Sequence, residues 1–239
     1  MCGRYSITTT FEAVRKLFGL RSGVPNWWVP RYNVAPTQLA PVVRLRDGER
    51  ELVQLRWGLI PFWAKDEKIG YQTINAKCET IATKPAFREA FRRRHCLVAT
   101  DGFYEWLKPA SGPKQPFRIV RRDRAPFALA GLWERWRPAA GAEAVETFTV
   151  ITCAPNDVCA ALHDRMPVIV DPADYAEWLA AAPGAEALLR PCPADALEAY
   201  PVPAAVGNVR NEGPELIEPV AGRAAAAAAE PPASFGRLL

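Results

Sequence analysis

The feature that most constrains the fold is the brevity of the apolar runs. Segments 96–100, 116–121, 126–133 and 147–153 read as strands, each short and closed off by Gly or Pro. They do not alternate regularly with helices. That pattern argues against a doubly wound parallel sheet and for an α+β fold, a single domain with a curved, barrel-like, mainly antiparallel β core flanked by helices.

Local signals fill in the frame. Thr8-Thr9-Thr10 followed by Phe11, Val14, Leu17 and Phe18 predicts a capped amphipathic helix ending at Gly19. Segments 42–46 and 50–60 flank Asp47-Gly48, which predicts a hairpin. Residues 85–94 read as a short helix with Phe87 and Phe91 on one face and Arg88, Arg92, Arg93 and Arg94 on the other. Two more helices are expected at 156–162 and 172–181, the second opened by Asp171-Pro172. The proline-rich stretches 25–41 and 183–203 read as loop and turns. A domain over residues 1–218 is expected, with a low-complexity Ala/Pro tail at 219–239 that is disordered.

Composition narrows the function classes. A chain of 239 residues that is 49% hydrophobic and 23% charged has the make-up of a globular protein. No apolar run approaches the roughly 20 residues of a membrane span, and no signal peptide opens the chain, so a cytoplasmic protein with no membrane partner is expected. The net charge of +4 permits a polyanionic partner without requiring one. The six cysteines, at 2, 78, 96, 153, 159 and 192, contain no C-x-x-C pair, and His95 and His163 are the only histidines. Zinc-type spacing is absent, so no metal is expected, and the thiols are expected to be reduced. Nothing in the sequence calls for a cofactor.

Cys2 is set apart by its position. Once Met1 is removed it carries an α-amine and a thiol on adjacent carbons, with ordinary pKa values of about 8 and about 8.5. Such a 1,2-aminothiol condenses with an aldehyde through nitrogen and then closes a five-membered thiazolidine through sulfur, both nucleophiles being already tethered. Taken alone, Cys2 could equally be an ordinary small residue near the terminus. Glu105, in Asp101-Gly102-Phe103-Tyr104-Glu105-Trp106, follows an apolar run and sits among aromatics, where a carboxyl can become a proton shuttle; a surface glutamate on a hairpin fits as well. His163, bracketed by charge in Leu162-His163-Asp164-Arg165-Met166-Pro167, is a better acid–base candidate than His95, which lies beside an arginine run. Arg4, Asn33, Thr37, Trp57, Trp63, Lys77, Trp106 and Arg165 fall in or near the same clusters. Basic and aromatic residues together suit single-stranded nucleic acid, since bases stack and phosphates are tracked by charge.

Six ordered segments then carry a resemblance: Met1-Cys2-Gly3-Arg4, Asn33-Val34-Ala35-Pro36-Thr37, Trp57-Gly58-Leu59-Ile60-Pro61, Asn75-Ala76-Lys77-Cys78-Glu79-Thr80, Asp101-Gly102-Phe103-Tyr104-Glu105-Trp106 and His163-Asp164-Arg165-Met166-Pro167. From residue 1 to about 205 the chain resembles the SOS response-associated peptidase (SRAP) family. The resemblance implies a single α+β domain whose cleft holds single-stranded DNA, and a Cys2 that forms a stable thiazolidine with the ring-opened aldehyde of an abasic site. It implies catalytic roles for Cys2, Asn75, Glu105 and His163: Asn75 orienting the Cys2 terminus or the sugar, Glu105 moving protons, His163 assisting ring opening and reversal. Arg4, Asn33, Lys77 and Arg165 would hold phosphates, and Thr37, Trp63, Trp106 and Met166 would join them along the DNA path. The peptidase label fits removal of Met1, autocatalytic or otherwise. Lys77 stands where the family usually has arginine, which keeps the charge but loses the bidentate fork.

The expected partner is therefore single-stranded DNA containing abasic sites, bound by a monomer that associates with the nucleoid when on DNA. Three other readings are an N-terminal-nucleophile amidohydrolase of the glutamine amidotransferase kind, a Cys2–His163 thiol peptidase, and a non-catalytic single-strand binding module. The amidotransferase reading lacks its later motifs here.

Overall fold

The computed structural model describes residues 2–221 except Ala110 and Ala140. In chain order, β1 (Tyr5–Ile7) leads to α1 (Phe11–Phe18), β2 (Arg31–Val34), β3 (Leu39–Arg46), β4 (Glu49–Trp57) and β5 (Asn75–Lys77). Then follow α2 (Arg88–Arg93), β6 (His95–Thr100), β7 (Gly102–Leu107), β8 (Gln115–Arg121), β9 (Phe127–Trp136) and β10 (Val145–Cys153). The chain continues through α3 (Asp157–Ala160), β11 (Met166–Pro167), β12 (Ile169–Val170), α4 (Tyr175–Leu179) and β13 (Leu197–Pro201).

The local signals act as expected where they are strongest. Thr10 Oγ1 accepts the Ala13 N–H at 3.4 Å, and Gly19 closes α1 at φ 63°, so the helix buries Phe11, Val14 and Phe18. Asp47 and Gly48 both take positive φ, 51° and 81°, the turn geometry whose twist matches that of paired strands. In β3 and β4 the register runs without interruption from Arg46↔Glu49 to Leu39↔Arg56.

Five strands close a ring. β4, β3, β6, β9 and β10 are joined by antiparallel pairs, and the parallel pairing of Phe148 with Trp57 returns β10 to β4. Trp57 lies fully buried at this seam, 5.2 Å from the Tyr5 ring and 6.0 Å from Phe148, with its Nε1 donating to Ile74 O at 2.8 Å. Gly58 then turns the chain away at φ 116°; a Cβ there would lie 2.5 Å from Gly70 O.

A second, wholly antiparallel sheet runs β13-β8-β7-β1-β2. It sets Arg4 and Tyr5 against β7. Tyr5 pairs with Phe103, and Tyr104 N–H donates to Arg4 O at 3.0 Å, so the residues before β1 run back alongside Glu105. Asp101 secures this register by accepting from Ser6 Oγ at 2.6 Å, Thr8 Oγ1 at 2.7 Å, Thr9 N–H at 2.9 Å and Arg118 Nη2 at 2.8 Å.

Several expectations need correction. The 25–41 loop contains β2, and the 183–203 stretch contains β13, which pairs with β8 from Leu197↔Arg121 to Pro201↔Phe117. Both are edge strands; β2 itself holds no proline, and Pro201 ends β13, where one side of the ladder is unpaired. The strand expected over 50–60 stops at Trp57, and the helix expected over 85–94 is confined to Arg88–Arg93. The helix expected over 156–162 ends at Ala160, and 172–181 divides into a 3-10 turn at Pro172–Asp174 and α4. Most of the tail expected at 219–239 lies outside the described residues.

Candidate active site

Cys2 is completely buried. Burial first, and then the charge of Glu105, push its thiol well above the usual thiol range, so sulfur carries its proton in this form. Its Sγ lies 3.9 Å from Arg4 O. The residue is gripped by its main chain: Asn75 Nδ2 donates to Cys2 O at 2.8 Å. Asn75 can reach because β5 runs parallel to β10, with Val150 opposite Asn75 and Thr152 opposite Lys77.

Glu105 projects from β7 and is 4% exposed. Burial raises its carboxyl to about 7, and the charge of Asp164 acts in the same direction. Both protonation states are then populated near neutrality, the condition for a general acid–base.

His163 follows α3, its N–H donating to Cys159 O at 2.8 Å. Burial lowers its pKa. Nδ1 accepts the Arg165 N–H at 3.0 Å but also lies 2.7 Å from Asp164 Oδ1, an ion pair only if the ring is charged. The backbone donor and the lowered pKa together favour the neutral ring with its hydrogen on Nε2. The loop after His163 returns to β10 through Cys153↔Met166, so β10 carries Asn75 on one edge and the His163 loop on the other.

Arg165 donates from Nη1 and Nη2 to the two oxygens of Glu79 at 2.6 and 2.9 Å, and from Nη2 to Thr152 O at 2.6 Å. Lys77 is exposed two residues before Glu79.

A match to the family model described as SOS response associated peptidase (SRAP) spans residues 1–209. The chain belongs to this family. Among relatives of this SRAP chain, the abasic site processing protein YoqW of Bacillus subtilis is 40% identical over 91% of this chain and 99% of its own length. The abasic site processing protein YedK of Escherichia coli is 32% identical over 92% and 100%. The abasic site processing protein HMCES of Gallus gallus is 30% identical over 92% and 78%. A crystal structure of a protein from Bacteroides thetaiotaomicron matches with a TM-score of 0.82 at 27% identity, over 92% of this chain and all of that one. Another, from Bordetella bronchiseptica, gives 0.71 at 31% identity over 84% and all of that chain.

Within this SRAP fold the expected site residues divide into two groups. Cys2 and Asn75 are in contact, and the charges of Glu105 on Cys2 and of Asp164 on both Glu105 and His163 tie the four catalytic candidates together. Thr37, held at φ 75° with its N–H on Trp57 O, is exposed, as are Trp63 and Lys77. Trp63 Nε1 donates to Pro85 O at 3.3 Å, and the Arg4 guanidinium sits 5.8 Å from the half-buried Trp106 ring.

The rest turn inward. Arg4 Nη1 donates to Asn33 Oδ1 and Val206 O, both at 2.6 Å, and Asn33, wholly buried, donates to Asn208 O and Asn211 O, both at 2.9 Å. Asn33 is thus a brace for Arg4 in this structure rather than a group presented to a phosphate. The reason is burial: its amide must find partners, and the 204–211 turn supplies carbonyls. Met166 is also fully buried, with its sulfur 3.3 Å from Asn156 N, and Trp57 is core. Neither offers a surface to a nucleic acid.

Two neighbours were not singled out by sequence reasoning. Cys159 is buried in α3 and electrostatically coupled to Glu105 and Cys2; it reads in sequence as one more apolar helix residue. Glu79 lies inside the Asn-Ala-Lys-Cys-Glu-Thr segment, and its spacing from Lys77 was the available signal.

Proposed function

We propose that this protein processes abasic sites in single-stranded DNA by capturing the sugar aldehyde covalently on Cys2 after Met1 has been removed. Three relatives across nearly the whole chain are named abasic site processing proteins. The observation that carries the reading is the Asn75 amide on the Cys2 carbonyl, with the buried Glu105 close enough for its charge to act on the Cys2 thiol.

The chemistry runs in two additions. The Cys2 α-amine adds to the aldehyde carbon, and the resulting carbinolamine loses water to give an iminium. The thiol then adds to that carbon: the C–S bond forms, the C=N electron pair returns to nitrogen, and the thiol proton leaves. A thiol held well above its usual pKa cannot ionise unaided, so a nearby base is required, and Glu105 as carboxylate is suited to take that proton. Aldehyde and aminothiol give thiazolidine and one water. His163, with hydrogen on Nε2, is suited to protonate the ring oxygen as deoxyribose opens.

The test is a denaturing gel of the purified protein with an oligonucleotide carrying one abasic site. A shifted band that survives denaturation and disappears in Cys2→Ala is expected, together with a protein mass lacking Met1. No Cys2-dependent band from protein that has lost Met1 overturns the reading, and ammonia release from glutamine would point to amidohydrolase chemistry instead.

A further inference from the structure

We propose that Glu79 is a specificity-determining residue that masks Arg165 from single-stranded DNA, its carboxylate occupying the guanidinium edge that a phosphate would take. The inference rests on the DNA-binding part of the proposed function.

The geometry is that of a filled site. Arg165 presents two parallel N–H donors, and both end on Glu79, at 2.6 and 2.9 Å. A third bond, from Nη2 to Thr152 O at 2.6 Å, fixes the guanidinium against β10. The Arg165 side chain is only 13% exposed, whereas that of Glu79 is 52% exposed, so Glu79 forms the outer, solvent-facing member of the pair. Carboxylate and phosphate suit the same bidentate fork, so one displaces the other. Arg165 holds the Glu79 carboxyl down at about 2, so the mask keeps its charge throughout the neutral range.

A mask of this kind changes discrimination rather than chemistry. Glu79 neutralises one cation beside the exposed Lys77, so intact strands, held by phosphate contacts alone, bind more weakly. An abasic strand is retained by its covalent bond. Glu79 therefore lowers occupancy on undamaged DNA while leaving capture intact.

The probe is an intact oligothymidylate, with affinity measured across a salt series for the full chain and for Glu79→Gln. Tightening of about fivefold at low salt is expected, the scale of one solvent-exposed ion pair. A log–log salt slope steeper by about 0.7 is also expected, the increment of one further phosphate contact on a single strand. In Arg165→Ala the Glu79→Gln change should no longer steepen the salt slope, because no guanidinium is uncovered. Weaker binding in Glu79→Gln, or an unchanged slope, overturns the inference and makes Glu79 a support for Arg165 instead. If Glu79→Gln does not fold, the Arg165 guanidinium nitrogen resonances of the unmodified chain decide: they should stay in place on addition of oligothymidylate, and resonances that move show the carboxylate displaced and refute the mask. Oligothymidylate bound by neither chain would overturn the DNA-binding part of the proposed function and this inference with it, whereas binding by the unmodified chain with no gain in Glu79→Gln defeats the inference alone.

Discussion

The side-chain amide of Asn75 holds the carbonyl of Cys2 at 2.8 Å, joining the mouth of the barrel to the N-terminal end of the second sheet. Replacing Asn75 with Ala should leave the fold in place, because β5 keeps its backbone pairing with β10. Small displacements of a nucleophile are costly, so crosslinking under single-turnover conditions should slow roughly tenfold to a hundredfold. A rate equal to that of the unmodified chain would remove Asn75 from the site.

Glu105 gives two pH signatures. On the proposed reading Glu105 accepts the thiol proton and must be ionised, so the crosslinking rate should climb through pH about 7, below a further rise near 8 as the Cys2 α-amine loses its proton. Glu105→Gln should flatten that limb and lower the rate above it, which a pH series of gel time courses reads directly.

Stability should move in the opposite direction. A carboxyl raised from 4.5 to about 7 by burial binds more protons folded than unfolded between those values, so stability falls as pH rises across the window. Glu105→Gln should therefore raise the melting temperature at pH 8 by about 2 °C or more and change it little at pH 4. Calorimetry at the two pH values checks this.

Asp101 and Arg118 form a buried ion pair at 2.8 Å, each side chain 8% exposed. Asp101→Ala would leave Arg118 without its carboxylate and loosen Ser6, Thr8 and Thr9 together. Urea unfolding should show a loss of about 3–5 kcal/mol, the usual cost of orphaning a buried charge. Asp101→Ala/Arg118→Met should recover part of it.

Trp57 is expected to matter for stability alone. Trp57→Ala would empty a site packed between Tyr5 and Phe148 and leave Ile74 O with only the Val150 N–H, at a cost of about 3–5 kcal/mol. Trp57→Phe should be milder, and neither change should alter the salt dependence of DNA binding.

Much of this was legible in the chain. The Thr10 cap, the Gly19 stop and the Asp47-Gly48 turn are local devices that act through their own backbone geometry, so their positions could be read directly. The short Gly- and Pro-punctuated runs gave the α+β class, and the six motifs gave the family. β2 and β13 were illegible because their composition favours turns; they are strands only because β1 and β8 offer them an edge to pair with.

The sequence by itself determined which groups are available for chemistry: a cysteine at position 2, one glutamate among aromatics, one histidine among charges. Their proton affinities were decided only by tertiary structure. The register of β1 on β7 runs Cys2 alongside Glu105, and burial then raises the proton affinity of both, because a low-dielectric site penalises the charged form. Folding likewise turned Arg4 and Asn33 inward onto the 204–211 turn and closed Arg165 onto Glu79. Residue type fixes what a side chain can bond to, but only the neighbours brought by the fold fix which bond it makes.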